Sequence, residues 1–228
     1  MEKQDTISLW AILLVLFTSC GSPNDKKQND SNFELVKEAP SSDTLISEDS
    51  KNAVFYATLE VDDFDTWLKN FNAIEKVMLS KIFSEVKAHQ SMDEENQIIL
   101  IGRSENHDAS RDYFRNSAYQ VNFLDLKWGS ENTPNTDQAI FVKHGVGDYI
   151  SWLDKFKSKE ETRRQNGLYT IGVARDSDDP TKITIYFAVD DIEKAQAYIN
   201  PELIRAMEAS GVDGKPEGIP VKVLKTLG

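Results

Sequence analysis

The sequence predicts an α+β fold in which two copies of one βαββαβ unit are joined in a single chain. The first observation is an internal repeat, because two segments align without gaps at an offset of 85 residues. The second is a pair of helical stripes of aromatic residues, and the third is a set of short apolar runs typical of strands. The matched pairs are Val61 with Val146, Asp63 with Asp148, Trp67 with Trp152, Leu68 with Leu153, Phe71 with Phe156, Asp93 with Asp178, Ile98 with Ile183 and Tyr113 with Tyr198.

Each copy opens with a strand that is followed by a capped helix. Predicted strands occupy residues 53–61, 82–89, 97–103 and 121–128 in the first copy, and residues 139–146, 168–175, 182–189 and 221–227 in the second. Asp63 and Asp148 are predicted N-caps, since each precedes aromatic and leucine residues at helical spacing. Further helices begin near residues 109 and 192, and the turn at 178–181 favours a hairpin.

This element order is that of the ferredoxin-like fold. A four-stranded antiparallel sheet of this kind covers one face with its helices and leaves the other face open. We therefore expect the two sheets to pack face to face as an intramolecular pseudo-dimeric α+β barrel. The first repeat is assigned to residues 52–129 and the second to residues 138–228, with a polar linker between them.

The N-terminal segment predicts export and lipid attachment. An apolar run at residues 7–17 has the length of a signal-peptide core and is too short to cross a bilayer as a helix. It ends in LFTSC at residues 16–20, which resembles the bacterial lipobox, with phenylalanine where leucine is usual. We expect a signal peptide at residues 1–19, acylation of Cys20 by fatty acids such as palmitate, and a flexible tether over 20–51. The body would then be anchored to a membrane of the bacterial cell envelope; a plain signal peptide or an uncleaved anchor is the alternative.

Charge and cysteine content exclude several functions. The net charge of −12 offers no basic excess for nucleic acid, so no nucleic-acid partner is expected. Cys20 is the single cysteine, which leaves the body without a disulfide or a thiolate. His89 and His107 stand at no metal-ligand spacing, and no phosphate loop or nucleophile elbow is present, so neither a metal site nor a cofactor is predicted.

The second copy resembles the dimeric α+β barrel superfamily, which includes antibiotic-biosynthesis-monooxygenase-like domains. The resemblance spans residues 139–228, and its motifs are HGVGDYISW at 144–152, VARDSDDP at 173–180, VDD at 189–191 and PEL at 201–203. It implies the barrel fold but no single activity, because the superfamily spans cofactor-free oxygenases, haem-degrading enzymes, dismutases, isomerases and proteins without known activity. The first copy departs from the pattern, with Leu59 in place of His144 and Gln90 in place of Arg175.

Five residues of the second copy are candidates for a site. His144 is the candidate general base under this resemblance, although its strand parity with apolar residues favours a structural histidine beneath the helices. Arg175 binds an anionic or carbonyl ligand, or pairs with a neighbouring aspartate. Lys143, Tyr169 and Tyr186 have the opposite parity, so they line or fill the barrel interior.

Two functions are compatible with these residues. The preferred prediction is non-catalytic binding of a small, partly apolar molecule or of an envelope protein, because no catalytic constellation stands out. The alternative is a cofactor-free enzyme, oxygenase-like or isomerase-like, in which His144 acts as base while Arg175 and Tyr186 orient a carbonyl compound.

Overall fold

The two repeats are present in the computed structural model, which describes residues 52–130, 132–199, 207 and 211–227. The predicted signal peptide, Cys20 and the predicted tether lie outside the described residues. Within the described part of the chain, no helix has both the length and the apolar character needed to cross a bilayer.

Both repeats have the predicted order of strands and helices. The first contains β1 (Ala53–Glu60), α1 (Phe64–Asn70), a π-helical segment (Phe71–Glu75), α2 (Lys76–Ile82), β2 (Ser84–Ser91), β3 (Gln97–Arg103), α3 (His107–Phe114) and β4 (Gln120–Trp128). The second contains β5 (Gln138–Val146), α4 (Tyr149–Ser158), α5 (Glu160–Gln165), β6 (Leu168–Asp176), β7 (Lys182–Val189), α6 (Ile192–Tyr198) and β8 (Val212–Leu227).

Aspartate N-caps fix where the helices begin. The Asp63 carboxylate accepts a hydrogen bond from the backbone N–H of Thr66 at 2.7 Å, and Asp148 accepts one from Ser151 at 3.1 Å. Each bond satisfies an N–H that has no partner within the helix. Both predicted caps are therefore confirmed, and Asp191 caps α6 in the same way.

The eight strands close into one antiparallel barrel in the order β1-β3-β2-β8-β5-β7-β6-β4, with β4 returning to β1. The repeats are joined at two seams, where β2 pairs with β8 and β4 pairs with β6. Closure removes the free sheet edges that each half would expose alone. The predicted pseudo-dimeric α+β barrel is confirmed.

Strand alternation divides the apolar side chains between the barrel interior and the helix-facing side of the sheet. The buried interior consists of Val54, Tyr56, Ile99, Leu124, Ala139, Phe141, Ala174, Tyr186 and Val221. The helix-facing core of the second repeat contains Ile140, Val142, Val146, Trp152, Leu168, Val173, Ile183, Ile185, Phe187, Val189, Ala195 and Val212. A residue's parity along its strand therefore decides which of two separate environments it enters.

Two elements differ from the prediction. Strand β8 begins at Val212 rather than near residue 221, and it includes Pro216 and Pro220. Pro216 lies at a register shift against β5, whereas Pro220 pairs with Ile140 in regular register. The predicted single helix after β1 is also interrupted, by the π-helical segment Phe71–Glu75.

Candidate functional site

A pocket of about 420 Å³ lies between the sheet and the helices of the second repeat. This volume falls within the range of roughly 300–1,000 Å³ that small-molecule sites occupy. The lining is mostly apolar, with polar groups contributed by α4 and α5. The lining residues are Val142, Trp152, Lys155, Phe156, Ser158, Lys159, Thr162, Arg163, Leu168, Ile185, Phe187, Tyr198, Ile199, Met207, Pro216 and Gly218.

The first repeat fills the equivalent space with aromatic rings. Leu168 and Ile199 line the pocket, and the residues 85 positions earlier are Phe83 and Phe114. These two rings stack with centroids 5.8 Å apart, and Phe55 packs against both at 4.7 and 5.0 Å. The smaller aliphatic side chains in the second repeat leave this space open. The two repeats share one fold, but the pocket is open in the second repeat and filled in the first.

Arg163 is a buried cation in the pocket lining. It lies in α5 and is only 3% exposed, so its charge requires partners. Nη2 donates to the Glu160 carboxylate at 2.6 Å, and Nη1 donates to the backbone carbonyl of Phe156 at 2.7 Å. The guanidinium carbon also lies 3.6 Å from the centroid of the Phe156 ring. These contacts hold the guanidinium group in one orientation.

One donor of Arg163 is left over. Its Nε–H is buried and has no hydrogen-bond partner among the described residues. The Thr170 hydroxyl donates to the Glu160 carboxylate at 2.9 Å and so holds the ion pair from the strand side. Burial lowers the pKa of Arg163, while the hydrogen bond to Glu160 opposes that shift, so the group stays charged at neutral pH. Glu160 balances the charge of Arg163, and the Nε–H remains as a buried donor that an oxygen atom could accept.

His144 lies beneath α4, beside the pocket but not in its lining. The imidazole is 7% exposed, and its ring centroid is 5.2 Å from that of Trp152, which does line the pocket. Nδ1 donates to the Gly145 carbonyl at 3.0 Å, and Nε2 is buried without a partner in the described part of the chain. Burial lowers the pKa of His144. The side chain is therefore a neutral imidazole with an unused lone pair.

The other four predicted site residues lie in different surroundings. Arg175 donates from Nε and Nη2 to the Pro180 carbonyl at 2.9 and 2.7 Å, and its guanidinium group lies 4.4 Å from the Tyr149 ring centroid. Tyr169 was predicted to face the barrel interior, and this was wrong: it donates to Asp190 at 2.8 Å near the surface.

Lys143 and Tyr186 face the barrel interior, as predicted. Lys143 Nζ lies 3.8 Å from the Tyr56 ring centroid, and the Tyr186 hydroxyl is 2.8 Å from His89 Nε2.

The predicted grouping of His144, Arg175 and Tyr186 around one carbonyl needs correction. Tyr186 belongs to the interior cluster, whereas His144 packs on Trp152 on the helix-facing side of the same sheet. Alternation along β5 and β7 places the two side chains on opposite faces. Among the described residues, no three His, Cys, Asp or Glu side chains lie together as a metal site would require.

Sequence reasoning missed both Arg163 and the pocket. Residues 160–165 read EETRRQ, a charged run whose ordinary interpretation is a solvated helix face. The signal that could have found the pocket was the internal repeat, because Phe83 and Phe114 align with the smaller Leu168 and Ile199. A loss of two aromatic rings at core positions indicates open space unless a neighbour fills it.

No protein-family model and no curated protein sequence matches the chain. Solved structures do match its fold. A proposed monooxygenase from Fusobacterium nucleatum is 13% identical with a TM-score of 0.54, over 76% of this chain and 93% of that one. An anthrone oxidase-like protein is 14% identical with a TM-score of 0.54, over 79% and 95%. A haem-binding protein from Thermus thermophilus is 11% identical with a TM-score of 0.51, over 77% and 92%.

These neighbours correct the preferred functional prediction. At such low identity the likeness establishes the shared fold, and the named activities are those of the neighbours. Two of them are monooxygenase-like and oxidase-like proteins, which contradicts the predicted non-catalytic role of the body. The enzyme alternative agrees with them better.

The pocket does not fit a haem. The usual proximal ligand of haem iron is histidine, and none of the chain's histidines lines the pocket. Tyr198 does line it, but burial raises the pKa of its phenol and so disfavours the phenolate that iron would bind. We therefore derive no chemistry through a haem.

Proposed function

We propose that the chain is an oxygenase-like enzyme that needs no bound cofactor and takes a proton from a carbon that is conjugated with a carbonyl. The substrate would be a planar, largely apolar molecule held in the second-repeat pocket. The observation that carries the proposal is Arg163, a fixed, buried guanidinium group with a free Nε–H in the lining of a mostly apolar pocket. Such a group is suited to an oxygen on which negative charge develops.

The pocket supplies both shape and electrostatic stabilisation. Trp152 and Phe156 stack with ring centroids 5.0 Å apart, which provides a flat aromatic wall for a planar substrate. The carbonyl oxygen would accept the Nε–H of Arg163, and the enolate formed on deprotonation would be held more tightly than the ketone. Buried in a medium of low dielectric, the same charge acts more strongly than it would in water.

His144 is the proposed proton acceptor. It is neutral, and its Nε2 lone pair is unpartnered in the described part of the chain. Trp152 lies between His144 and the pocket, so the proposed proton transfer requires this indole to turn aside.

Molecular oxygen is the proposed co-reactant. In a tricyclic ketone such as anthrone, the ring methylene would lose one proton to the base, and the resulting anion would be oxidised by O₂. The carbon gains a carbonyl oxygen from O₂, and the second oxygen atom leaves as water with the two hydrogens. An isomerase would share the first step but would consume no oxygen.

Oxygen uptake with anthrone tests this proposal. Arg163→Lys keeps a positive charge but loses the planar guanidinium group with its Nε–H donor, so we expect at least a tenfold loss in kcat/KM. Arg164→Lys is the matched control, because Arg164 stacks near Tyr169 at 5.4 Å and does not line the pocket. No oxygen uptake, together with deuterium exchange at the methylene, would favour an isomerase. Neither activity, with anthrone or with related ketones, would contradict the proposal.

The enzyme is further proposed to be a lipoprotein of the bacterial envelope, anchored to a membrane through Cys20. This rests on the apolar run at residues 7–17 and the lipobox-like ending. Cells fed a clickable palmitate analogue should label the wild-type chain, while Cys20→Ala should be unlabelled. Ser19→Ala is the control that keeps the thiol. Equal labelling of the Cys20 variant would contradict the anchor.

A further inference from the structure

A second, smaller cavity lies inside the barrel, on the opposite face of the sheet from the pocket. Its volume is about 90 Å³, enough for roughly three water molecules or one small organic acid. It opens at the barrel end where β1 begins and β3 ends, and we call this end the Lys87 mouth. The apolar part of its wall is Val54, Ile101, Leu124, Leu126, Ile171 and Ala174.

The charges at the Lys87 mouth do not balance. Two cations, Lys87 and Arg103, and one carboxylate, Glu85, line the cavity. Arg103 Nε donates to Glu85 at 2.7 Å, which matches those two charges. Lys87 makes no salt bridge or side-chain hydrogen bond within the described part of the chain, although it is half-buried. Since a desolvated, unpaired cation is costly, the cavity is complementary to one negative charge.

The backbone at this mouth is strained. Glu85 has φ of +53°, and it is the non-glycine residue with positive φ among the described residues. Such a conformation is unfavourable for a residue with a side chain and persists where the surroundings enforce it. The strain lies in a bulge of β2, where the register against β3 shifts between Ser84 and Lys87. Glu85 beside this bulge forms its ion pair with Arg103, while its charge acts on Lys87 without an ion pair to it.

The rest of the cavity wall is fixed by hydrogen bonds. The Ile99 carbonyl can only accept, so His89 donates to it from Nδ1 at 3.2 Å and receives the Tyr186 hydroxyl at Nε2. The Tyr186 hydroxyl therefore already donates its hydrogen to His89 and cannot donate it to an anion. Lys87 Nζ lies 5.5 Å from the Tyr186 ring centroid, and the Thr184 hydroxyl is a further lining donor.

We infer that the Lys87 mouth binds a small carboxylate of about four non-hydrogen atoms, with Lys87 as its counter-ion. The size follows from the cavity, and the charge follows from the unpaired ammonium group. The site is independent of the proposed oxygenase function, because it lies on the other face of the sheet and shares no lining residue with the pocket.

Acetate and acetamide test this inference, since they have the same shape and differ in charge. Titrated into the full chain at constant ionic strength, acetate should raise the melting temperature in a saturable way, and acetamide should not. Lys87→Met should abolish the acetate effect, while Lys222→Met, which removes an exposed lysine of β8, should retain it. A direct readout is the carboxyl ¹³C line of labelled acetate, which should broaden on the wild-type chain and not on the Lys87 variant.

Two results would overturn the inference. One is an equal response to acetate and acetamide, which would show that the site does not distinguish an anion from a neutral molecule. The other is an unchanged acetate response in Lys87→Met. If Lys87→Met fails to fold, Lys87→Gln gives the decision, since a side chain without the charge should lose the saturable acetate effect.

Discussion

Replacing Arg163 with glutamine should destabilise the fold, because it leaves the Glu160 carboxylate without its cation. The side chain loses hydrogen bonds of 2.6 and 2.7 Å and its contact with the Phe156 ring. Removing one partner of a buried ion pair costs about 3–5 kcal/mol. Glu160 is 21% exposed and keeps the hydrogen bond from Thr170, so we expect the lower end of that range, about 3 kcal/mol. The melting temperature should then fall by roughly 6–12 °C.

Urea unfolding of Arg163→Gln beside Arg164→Gln measures this effect. The neighbouring change should alter the free energy of unfolding by less than about 0.5 kcal/mol, as an exposed substitution does. The double variant Glu160→Gln with Arg163→Gln should recover part of the loss, since no unpaired charge is left. A loss in Arg163→Gln no larger than in the control would refute the reasoning, because it would mean that water already solvates this guanidinium group.

Three further changes test the packing and electrostatics. Burial lowers the pKa of His89 from 6.5 to about 3, so between these two pH values the unfolded chain binds a proton that the folded chain does not bind. The free energy of unfolding should be unaffected above pH 7, and His89 should lower it by up to about 1.4 kcal/mol per pH unit below pH 6. Urea titrations of His89→Gln should therefore show a shallower slope, with the contribution of His144 remaining. Asp148→Ala should lose about 1 kcal/mol in calorimetry by removing the cap of α4, whereas Asp154→Ala, at an exposed position of the same helix, should be near neutral. Gly102→Ala should lose about 1–3 kcal/mol in urea unfolding, because a Cβ there would lie 2.7 Å from the Phe55 ring.

Local sequence signals sufficed for most of the fold. Strands β3 and β7 have the predicted bounds, since each is a short apolar run flanked by polar turns. The repeat itself predicted closure, because one half-barrel leaves an apolar face uncovered. The prediction began strand β8 too late, because its first half pairs with β5 across a register shift that the sequence does not reveal.

The candidate site was harder to predict, because it depends on packing across distant segments. Strand parity correctly predicted that Tyr186 faces the barrel interior. The same rule places His144 on the opposite, helix-facing side of the sheet. Arg163 sits in a charged run, and nothing local distinguishes a buried arginine there from a solvated one. Arg163 is buried in the wall of the second-repeat pocket, a space that the Leu168 side chain is too small to fill.

The most direct test of the account is oxygen uptake with anthrone by a chain whose pocket is filled as the first repeat is. The double variant Leu168→Phe with Ile199→Phe introduces the corresponding first-repeat residues into the second repeat. Phe83→Leu, the reverse change in the first repeat, is the matched control. The account predicts that the filled variant stays folded by circular dichroism and loses both anthrone binding and oxygen uptake, while Phe83→Leu keeps them. Undiminished uptake by the folded, filled variant would contradict the claim that this pocket is the site.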